Sequence, residues 1–291
     1  MCYQLGRWRM AGSFRRCSPS PGCKRSECVR SRDMKTNLLS SLLLILLVAS
    51  ISEVQGAPTL LHRYSFDTDA RDSAGTAHGT LMGGAVVSGG AVVLDGFSGF
   101  VDLPNEIVSS LSSVTFEVWL TDFGSGTWSR IFDFGFSTAG EGNAGTGFSY
   151  LFVCPQNGGG VLRAAITPGS NAEEQVIDWP GTRLPVGELT HVVWTIDSAT
   201  QTGVLYVNGA PVGVNPFMTY TPQDLGFTDN NWIGRSQFSS DAYLSASITE
   251  FRIYDGALTA EEVAQSYLYG PDAPLTGPVE ITVHPQSQLV M

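Results

Sequence analysis

Residues 189–214 read LTHVVWTIDSATQTGVLYVNGAPVGV, and the spacing of side chains within this run sets the expectation for the whole fold. From Thr190 to Asp197 the residues alternate. Val192, Trp194 and Ile196 point one way and His191, Val193, Thr195 and Asp197 the other, the period of two of a strand with two different faces. Val193 interrupts the polar face, so this strand is expected to be covered on both sides. Ser198–Thr202 and Gly203 turn the chain into a second strand, Val204–Val207. Asn208-Gly209 then offers the positive φ angles that a tight type I′ hairpin demands. Three consecutive antiparallel strands follow, a scaffold with no evident catalytic group.

The same signal recurs on both sides of this meander. Upstream, Leu60–Phe66, His78–Leu81, Ala91–Asp95 and Phe100–Leu103 read as short strands separated by glycine- and aspartate-rich breaks. Val114–Leu120 alternates cleanly, with Val114, Phe116, Val118 and Leu120 on one face and Thr115, Glu117, Trp119 and Thr121 on the other. Ser129–Phe136, a hairpin of Phe148–Cys154 with Val161–Ile166, and a strand at Gln175–Trp179 complete that side. Downstream, Phe217–Asp229 reads as a long loop bearing Tyr220 and Phe227, with Trp232 shortly after it. Tyr243–Tyr254 is a long strand. A helix follows, because Thr259 and Glu262 form a capping box, Leu258, Val263 and Tyr267 form an apolar stripe, and Gly270-Pro271 ends it. Many short strands at this spacing predict an all-β, two-sheet antiparallel sandwich with one short C-terminal helix.

The first 56 residues are expected to stand outside that fold. Met34-Lys35, the apolar run Leu38–Ile51 and the small residues around Gly56-Ala57 have the layout of a secretory signal peptide spanning 34–56. The apolar run is 14 residues long, short of the roughly 20 that a bilayer-spanning helix needs. Residues 1–33 carry eight basic residues and Cys2, Cys17, Cys23 and Cys28, with no C-x-x-C pair and no histidine to suggest zinc. Translation from Met34 is the expectation, which leaves 1–33 as a disordered, non-native extension. At the other end, 271–278 is a proline-rich linker and 279–291 resumes a strand-like pattern. That pattern is similar to the first strand of an immunoglobulin-like module and reads as the stub of one.

Cleavage after Gly56 would change the charge balance. Seven arginines and no lysine then face 24 acidic residues, a net charge of −17. Such a surface repels phosphate backbones, which excludes nucleic acid and anionic membranes as partners. Only Cys154 remains, so no disulfide forms within residues 57–291, and its strand context suits a small buried apolar residue rather than a nucleophile. The loop Asp67–Gly75 holds Asp67, Asp69 and Asp72, whose oxygens could take calcium, although the glycine and distal glutamate of an EF-hand loop are missing. Asp72-Ser73-Ala74-Gly75 is also a turn in its own right. Tyr220, Phe227 and Trp232 could stack on sugar rings or plug an end of the sandwich.

Taken together, Leu61–Asp67 with Asp72-Ser73, His78–Leu81, Val93–Gly96, Thr190–Val193, Leu205–Gly209, Ile233–Ser236 and Glu250–Tyr254 with Ala257–Val263 resemble the laminin-G-like, concanavalin A-like jelly-roll family in order and spacing. The resemblance covers about Leu60 to Gly270. It implies a jelly roll over residues 57–270 with the helix against one edge. It also implies binding through the sandwich rim or the concave face, with or without calcium, which binding members often place on the rim or near the first and last strands: Glu141 and Asn143 stand where relatives keep an acid and an amide ligand. Ser236–Asp241 covers the second ligand loop, but Arg235 and Ser236 stand where acids would be wanted, and Thr249 stands where many relatives carry Asp. Trp232, Arg235 and Asp241 could instead line a rim that binds without metal.

The same fold hosts lectins, receptor-binding modules and glycoside hydrolases, so function must be read from side chains. The hydrolases on it present acids as E-x-D-x-x-E on one strand, and that string is absent here: Glu117 stands alone, Glu173-Glu174 lie in a loop and Glu261-Glu262 in the helix cap. The expectation is a secreted, non-enzymatic module that binds an extracellular glycan or protein. The alternatives are a structural spacer in a larger adhesin-like protein and a divergent polysaccharide-degrading enzyme. Mass spectrometry of the exported protein should find Ala57 as its first residue, and retention of residues 1–33 would remove the signal-peptide reading.

Overall fold

A computed structural model describes residues 57–275 of the chain. The expected extension (1–33), signal peptide (34–56) and terminal stub (279–291) lie outside the described residues. Within them the strands are β1 (Leu60–Tyr64), β2 (Thr80–Met82), β3 (Val86–Val87), β4 (Val92–Asp95), β5 (Phe100–Leu103), β6 (Val114–Asp122), β7 (Phe132–Ser137) and β8 (Gly147–Cys154). They continue as β9 (Arg163–Thr167), β10 (Gln175–Asp178), β11 (Leu189–Asp197), β12 (Thr202–Val207), β13 (Ala210–Asn215), β14 (Asn230–Ile233) and β15 (Ser245–Tyr254), followed by helix α1 (Ala260–Tyr269).

The strands form two antiparallel sheets. The first runs β13-β12-β11-β6-β15-β4-β3, with β1 paired to the second half of β15. The other runs β10-β9-β8-β7-β14-β5-β2. The expected meander is β11-β12-β13, and its tight turn has φ of 50° at Asn208 and 77° at Gly209, the two positive values of a type I′ turn. Asn208 fastens the turn by accepting the His191 N–H on its Oδ1 at 3.0 Å.

Alternation decides what fills the space between the sheets. Val114, Phe116, Val118 and Leu120 of β6 and Val192, Trp194 and Ile196 of β11 face Phe132 and Phe134 of β7 and Leu151 and Val153 of β8. At the centre the rings of Phe116, Phe132, Phe134, Trp194 and Phe251 meet with centroids 5.0 to 6.1 Å apart in tilted and edge-on pairs. Each fully buried ring contributes about 1.5–3 kcal/mol by leaving water.

The opposite face of the first sheet is also covered, as Val193 required. Helix α1 starts with Thr259 and Glu262 exchanging side-chain bonds with each other's backbone N–H, and it lays Val263 over Val193, Tyr206, Tyr254 and Leu258. Beneath it, a line of buried charges crosses four strands. Arg63 of β1 donates to Glu250 of β15 (2.6 Å), Arg252 donates to the same Glu250 oxygen (2.6 Å) and to Glu117 of β6 (3.0 Å), and His191 of β11 meets Glu117 at 2.7 Å. Tyr254 and Ser266 also donate to Glu117, so each of its oxygens takes two bonds. His191 is stacked against Trp119 (4.4 Å) and Tyr267 (5.9 Å).

Two elements differ from the sequence expectation. Trp232, expected shortly after a loop with no strand assigned to it, lies on a strand, β14, between β7 and β5. Its run Asn230-Asn231-Trp232-Ile233 lacks alternation because both asparagine side chains are buried and bonded to backbone carbonyls. Glu117 stands alone in sequence but is bonded from every side in space.

These bonds hold the Glu117 carboxyl ionised: they outweigh burial and bring its pKa from 4.5 down to about 2. A folded value below the unfolded one stabilises the protein above about pH 4.5, and the contribution is lost as pH falls towards 2. Glu117→Gln breaks the buried pair with Arg252, leaving that guanidinium only Glu250, and should cost about 3–5 kcal/mol in urea unfolding at pH 7, the penalty of a broken buried pair. An unchanged midpoint would remove this role.

Candidate functional site

The outward face of the second sheet carries charged, amide and aromatic side chains together. β7 places Asp133 there, β8 Tyr150 and Phe152, β9 Arg163 and Ala165, β14 Asn230 and Trp232. Two loop segments lie across it, residues 125–130 ahead of β7 and residues 234–244 between β14 and β15. Gln237 clamps the second segment down. Its backbone N–H donates to Asp133 Oδ2 at 3.0 Å, its Nε2 donates to Asn230 O at 2.7 Å, and its Oε1 accepts from Asn230 Nδ2 at 3.2 Å. Asn230 also accepts the Gly142 N–H at 2.7 Å, which ties in the loop between β7 and β8. Gly147 gives Phe238 its place, since a Cβ there would stand 2.6 Å from the ring.

Between the two segments opens a pocket of about 330 Å³, lined by Trp128, Arg130, Arg163, Asn171, Glu174, Phe238 and Asp241. That volume is at the lower end of the range of small-ligand sites. Trp128 is half-buried and holds φ at 64°, a region that bulky residues rarely occupy. Its backbone is fixed at both ends, the N–H donating to Gln156 O at 2.9 Å and the carbonyl accepting from Arg130 Nη1 at 2.8 Å.

Arg130 forms the floor. Its guanidinium lies 3.8 Å from the Phe152 ring centroid, donates to Asp133 Oδ2 (3.2 Å) and forms an ion pair with Asp241 Oδ2 (3.0 Å). Asp241 also accepts from Ser236 Oγ at 2.8 Å. On the opposite wall Arg163 makes a bidentate pair with Asp178 (2.7 and 2.9 Å), and Glu174 Oε1 accepts the Tyr150 hydroxyl at 2.7 Å. Burial drives the Asp133 carboxyl up to about 6 in spite of Arg130 and Gln237, and its Oδ1 has no partner. Burial likewise raises Asp241, with Arg130 opposing.

The site residues expected from sequence divide into three groups. Asp241 lines the pocket, and Arg235 shares with it an adjoining cavity of about 160 Å³ with Ser236, Phe238 and Tyr243. Arg235 is caged there, its guanidinium 4.1 Å from the Trp232 centroid and 4.8 Å from that of Phe100. Trp232 and Tyr220 do not form a stacking surface. Trp232 is fully buried under Arg235 because β14 is a central strand, and Tyr220 packs against the inter-sheet core with its N–H on Gln175 Oε1.

The residues expected to hold a metal each have protein partners. Asp72 is 4% exposed, and its two oxygens are filled by the N–H groups of Arg63, Ala74, Gly75 and Ala77 and by His62 Nδ1. It organises its own turn and has nothing left for an ion, while Asp67 is exposed and accepts from Ser65. Glu141 and Asn143 lie on an exposed loop, where Glu141 accepts from Asn105 and the Asn143 amide donates to the Glu141 carbonyl. Among the described residues no three His, Cys, Asp or Glu side chains gather as an ion would require.

Trp128, Arg130, Arg163 and Glu174 were not expected. Trp128 and Arg130 share one loop, Arg163 opens β9 and Glu174 lies just ahead of β10, positions that carry no shared spacing, and only the pairing of β7, β8 and β9 brings them together.

A sequence profile of the concanavalin A-like lectin/glucanases superfamily, laminin-G type, matches residues 95–264, more than half of the 291. No curated protein sequence matches the chain. Among solved structures, domain 4 of the extracellular GH43 arabinanase AbnA from Geobacillus stearothermophilus, in complex with arabinotriose, is 23% identical. It aligns over 72% of this chain and 98% of that one with a TM-score of 0.56. The Ruminococcus gnavus IT-sialidase CBM40 bound to α2,3-sialyllactose is 15% identical over 60% and 95% of the two chains, with a TM-score of 0.51. The binding domain of botulinum neurotoxin serotype D/C is 13% identical over 72% and 52%, with a TM-score of 0.55. At these identities the likeness is one of fold.

Asp133 gives the pocket floor a pH signature. Its folded pKa of about 6 exceeds the unfolded 3.8, so ionisation opposes folding, and stability should fall as pH rises from about 4 to 6. The loss is about 3 kcal/mol at 1.36 kcal/mol per unit. Asp133→Asn should flatten the dependence of unfolding free energy on pH across that window. An unaltered slope would show that the carboxyl titrates elsewhere.

Proposed function

Because the chain belongs to the concanavalin A-like lectin/glucanases superfamily, we propose that it is a non-enzymatic recognition module that binds a glycan in the Trp128 pocket and acts outside the cell. The observation that carries this reading is the pocket itself. A half-buried indole with hydrogen-bonding carboxylates, an amide and guanidinium groups around it offers a sugar ring both an apolar face and partners for its hydroxyls. Two neighbours of the same fold carry arabinotriose and sialyllactose, which supports a glycan as ligand, and the signal-peptide pattern of residues 34–56 supports export. No described helix is long and apolar enough to cross a membrane.

A binding role suits the carboxylates better than catalysis. Glycoside hydrolysis needs one free nucleophile or base and one acid that reaches the leaving oxygen. Here Asp241 is bonded to Arg130 and Ser236, Glu174 to Tyr150, and the most acid-like group, Asp133, is fully buried against Arg130 and Gln237.

A protein ligand is the second reading. It is supported by a botulinum neurotoxin binding domain of this fold in complex with rat synaptotagmin II, and by Phe97, Phe217 and Phe227 exposed on loops.

Binding to an immobilised glycan panel tests the proposal. Trp128→Ala should weaken binding by about 1–3 kcal/mol, roughly 5- to 150-fold, while the unfolding midpoint stays near that of the parent. Binding should be the same with calcium and with a chelator. Binding lost in chelator would restore a rim calcium site around Glu141 and Asn143. Binding to no glycan would move the weight to a protein partner.

A further inference from the structure

Resting on the glycan reading above, we infer that the Trp128 pocket selects uncharged sugars and rejects those bearing a carboxylate. Arginines in a sugar site suggest an acidic sugar at first sight, but both guanidiniums here are already engaged. Arg163 gives its Nε and Nη2 to Asp178 as a two-pronged pair, and buried Arg130 has one partner at each nitrogen: Asp133 at Nε, the Trp128 carbonyl at Nη1 and the paired Asp241 at Nη2. A sugar carboxylate seeking the same fork would have to displace one of these acids and leave it unpaired beside another negative charge.

The charges confirm the sign of the effect. Arg130 and Arg163 are matched on the pocket wall by Glu174 and Asp241, with Asp133 and Asp178 directly behind them. At neutral pH four carboxylates therefore face two guanidiniums, in a domain that is itself acidic. A cationic ligand is disfavoured for another reason: both guanidiniums stand by the Trp128 ring, at 5.6 and 5.7 Å from its centroid, where a cation would seek the π face.

What remains unspent is suited to hydroxyls. Asp241 uses its Oδ2 and Glu174 its Oε1, which leaves one carboxylate oxygen on each as an acceptor. Arg163 Nη1 is 3.7 Å from the nearest acid oxygen, too far for a hydrogen bond, and is a donor to spare. A neutral pyranose or furanose supplies donors for the two acceptors, an acceptor for Nη1 and an apolar face for Trp128.

The test is equilibrium titration of the full chain with paired oligosaccharides, one neutral and one identical but capped with sialic or glucuronic acid. The neutral member should bind about tenfold or more tightly, and its affinity should change little with added salt. Asp178→Asn frees the Arg163 fork and should narrow or reverse the gap by raising affinity for the acid-capped member. If the acid-capped member binds as well as the neutral one or better, and Trp128→Ala abolishes that binding, charge selection is wrong while the glycan reading stands. If neither member of any pair binds, or Trp128→Ala leaves binding intact, the glycan reading of this pocket fails and this inference with it.

Discussion

A carboxylate fully buried in the middle of a sheet is the constraint on which much of this structure depends. Glu117 lies on the central strand β6, away from solvent, and an isolated charge there would be far too costly to keep. It is tolerated because Arg252 supplies the opposite charge and His191, Tyr254 and Ser266 fill the remaining lone pairs. Those four partners come from three parts of the chain: Arg252 and Tyr254 from β15, His191 from β11 and Ser266 from the helix. Satisfying one group therefore fixes the register of three strands and the seat of α1. Glu250 and Arg63 extend the alternation of charge to β1, so the first strand of the fold is secured by the same line.

The two outward faces solve a common problem differently. Each sheet carries polar and aromatic side chains on the side away from the core, and each must be covered. On the first sheet a regular helix does this with Val263, Ser266 and Tyr267, and the charges beneath it are sealed and structural. On the second sheet two irregular segments do it, clamped by Gln237 and by the backbone of Trp128. Loops do not tile a surface as a helix does, and the gap between them is the pocket. The same residue types, arginine, acid and aromatic ring, thus serve stability on one face and present a recognition surface on the other.

The parts of the fold that were legible in the sequence are those governed by neighbours along the chain. The β11-β12-β13 meander was visible because alternation and the Asn208-Gly209 turn are local, and α1 because its cap joins Thr259 to Glu262 three residues away. The fate of Cys154, buried at 0% exposure, followed from the strand it sits in. β14 was missed because Asn230 and Asn231 look like loop residues until their buried carbonyl partners are known. That omission left Trp232 as either a stacking or a plugging side chain, when it belongs under Arg235. The partners of Asp72 were hidden for a similar reason, since four backbone N–H groups and a histidine reach its oxygens only once the turn has folded.

The sequence by itself determined the fold class, the helix and the family, because periodicity, turn chemistry and capping act over a few residues and leave their pattern in the letters. Only the tertiary structure decided where a ligand would go. Trp128, Arg130, Arg163, Glu174 and Asp241 come from segments up to 113 residues apart, numbered 128 to 241, and converge only once β7, β8 and β9 have paired and a loop has folded back over them. Which of their charges remain free to meet a ligand depends on ion pairs formed across that convergence, and distance in space is the one quantity that no spacing along the chain records.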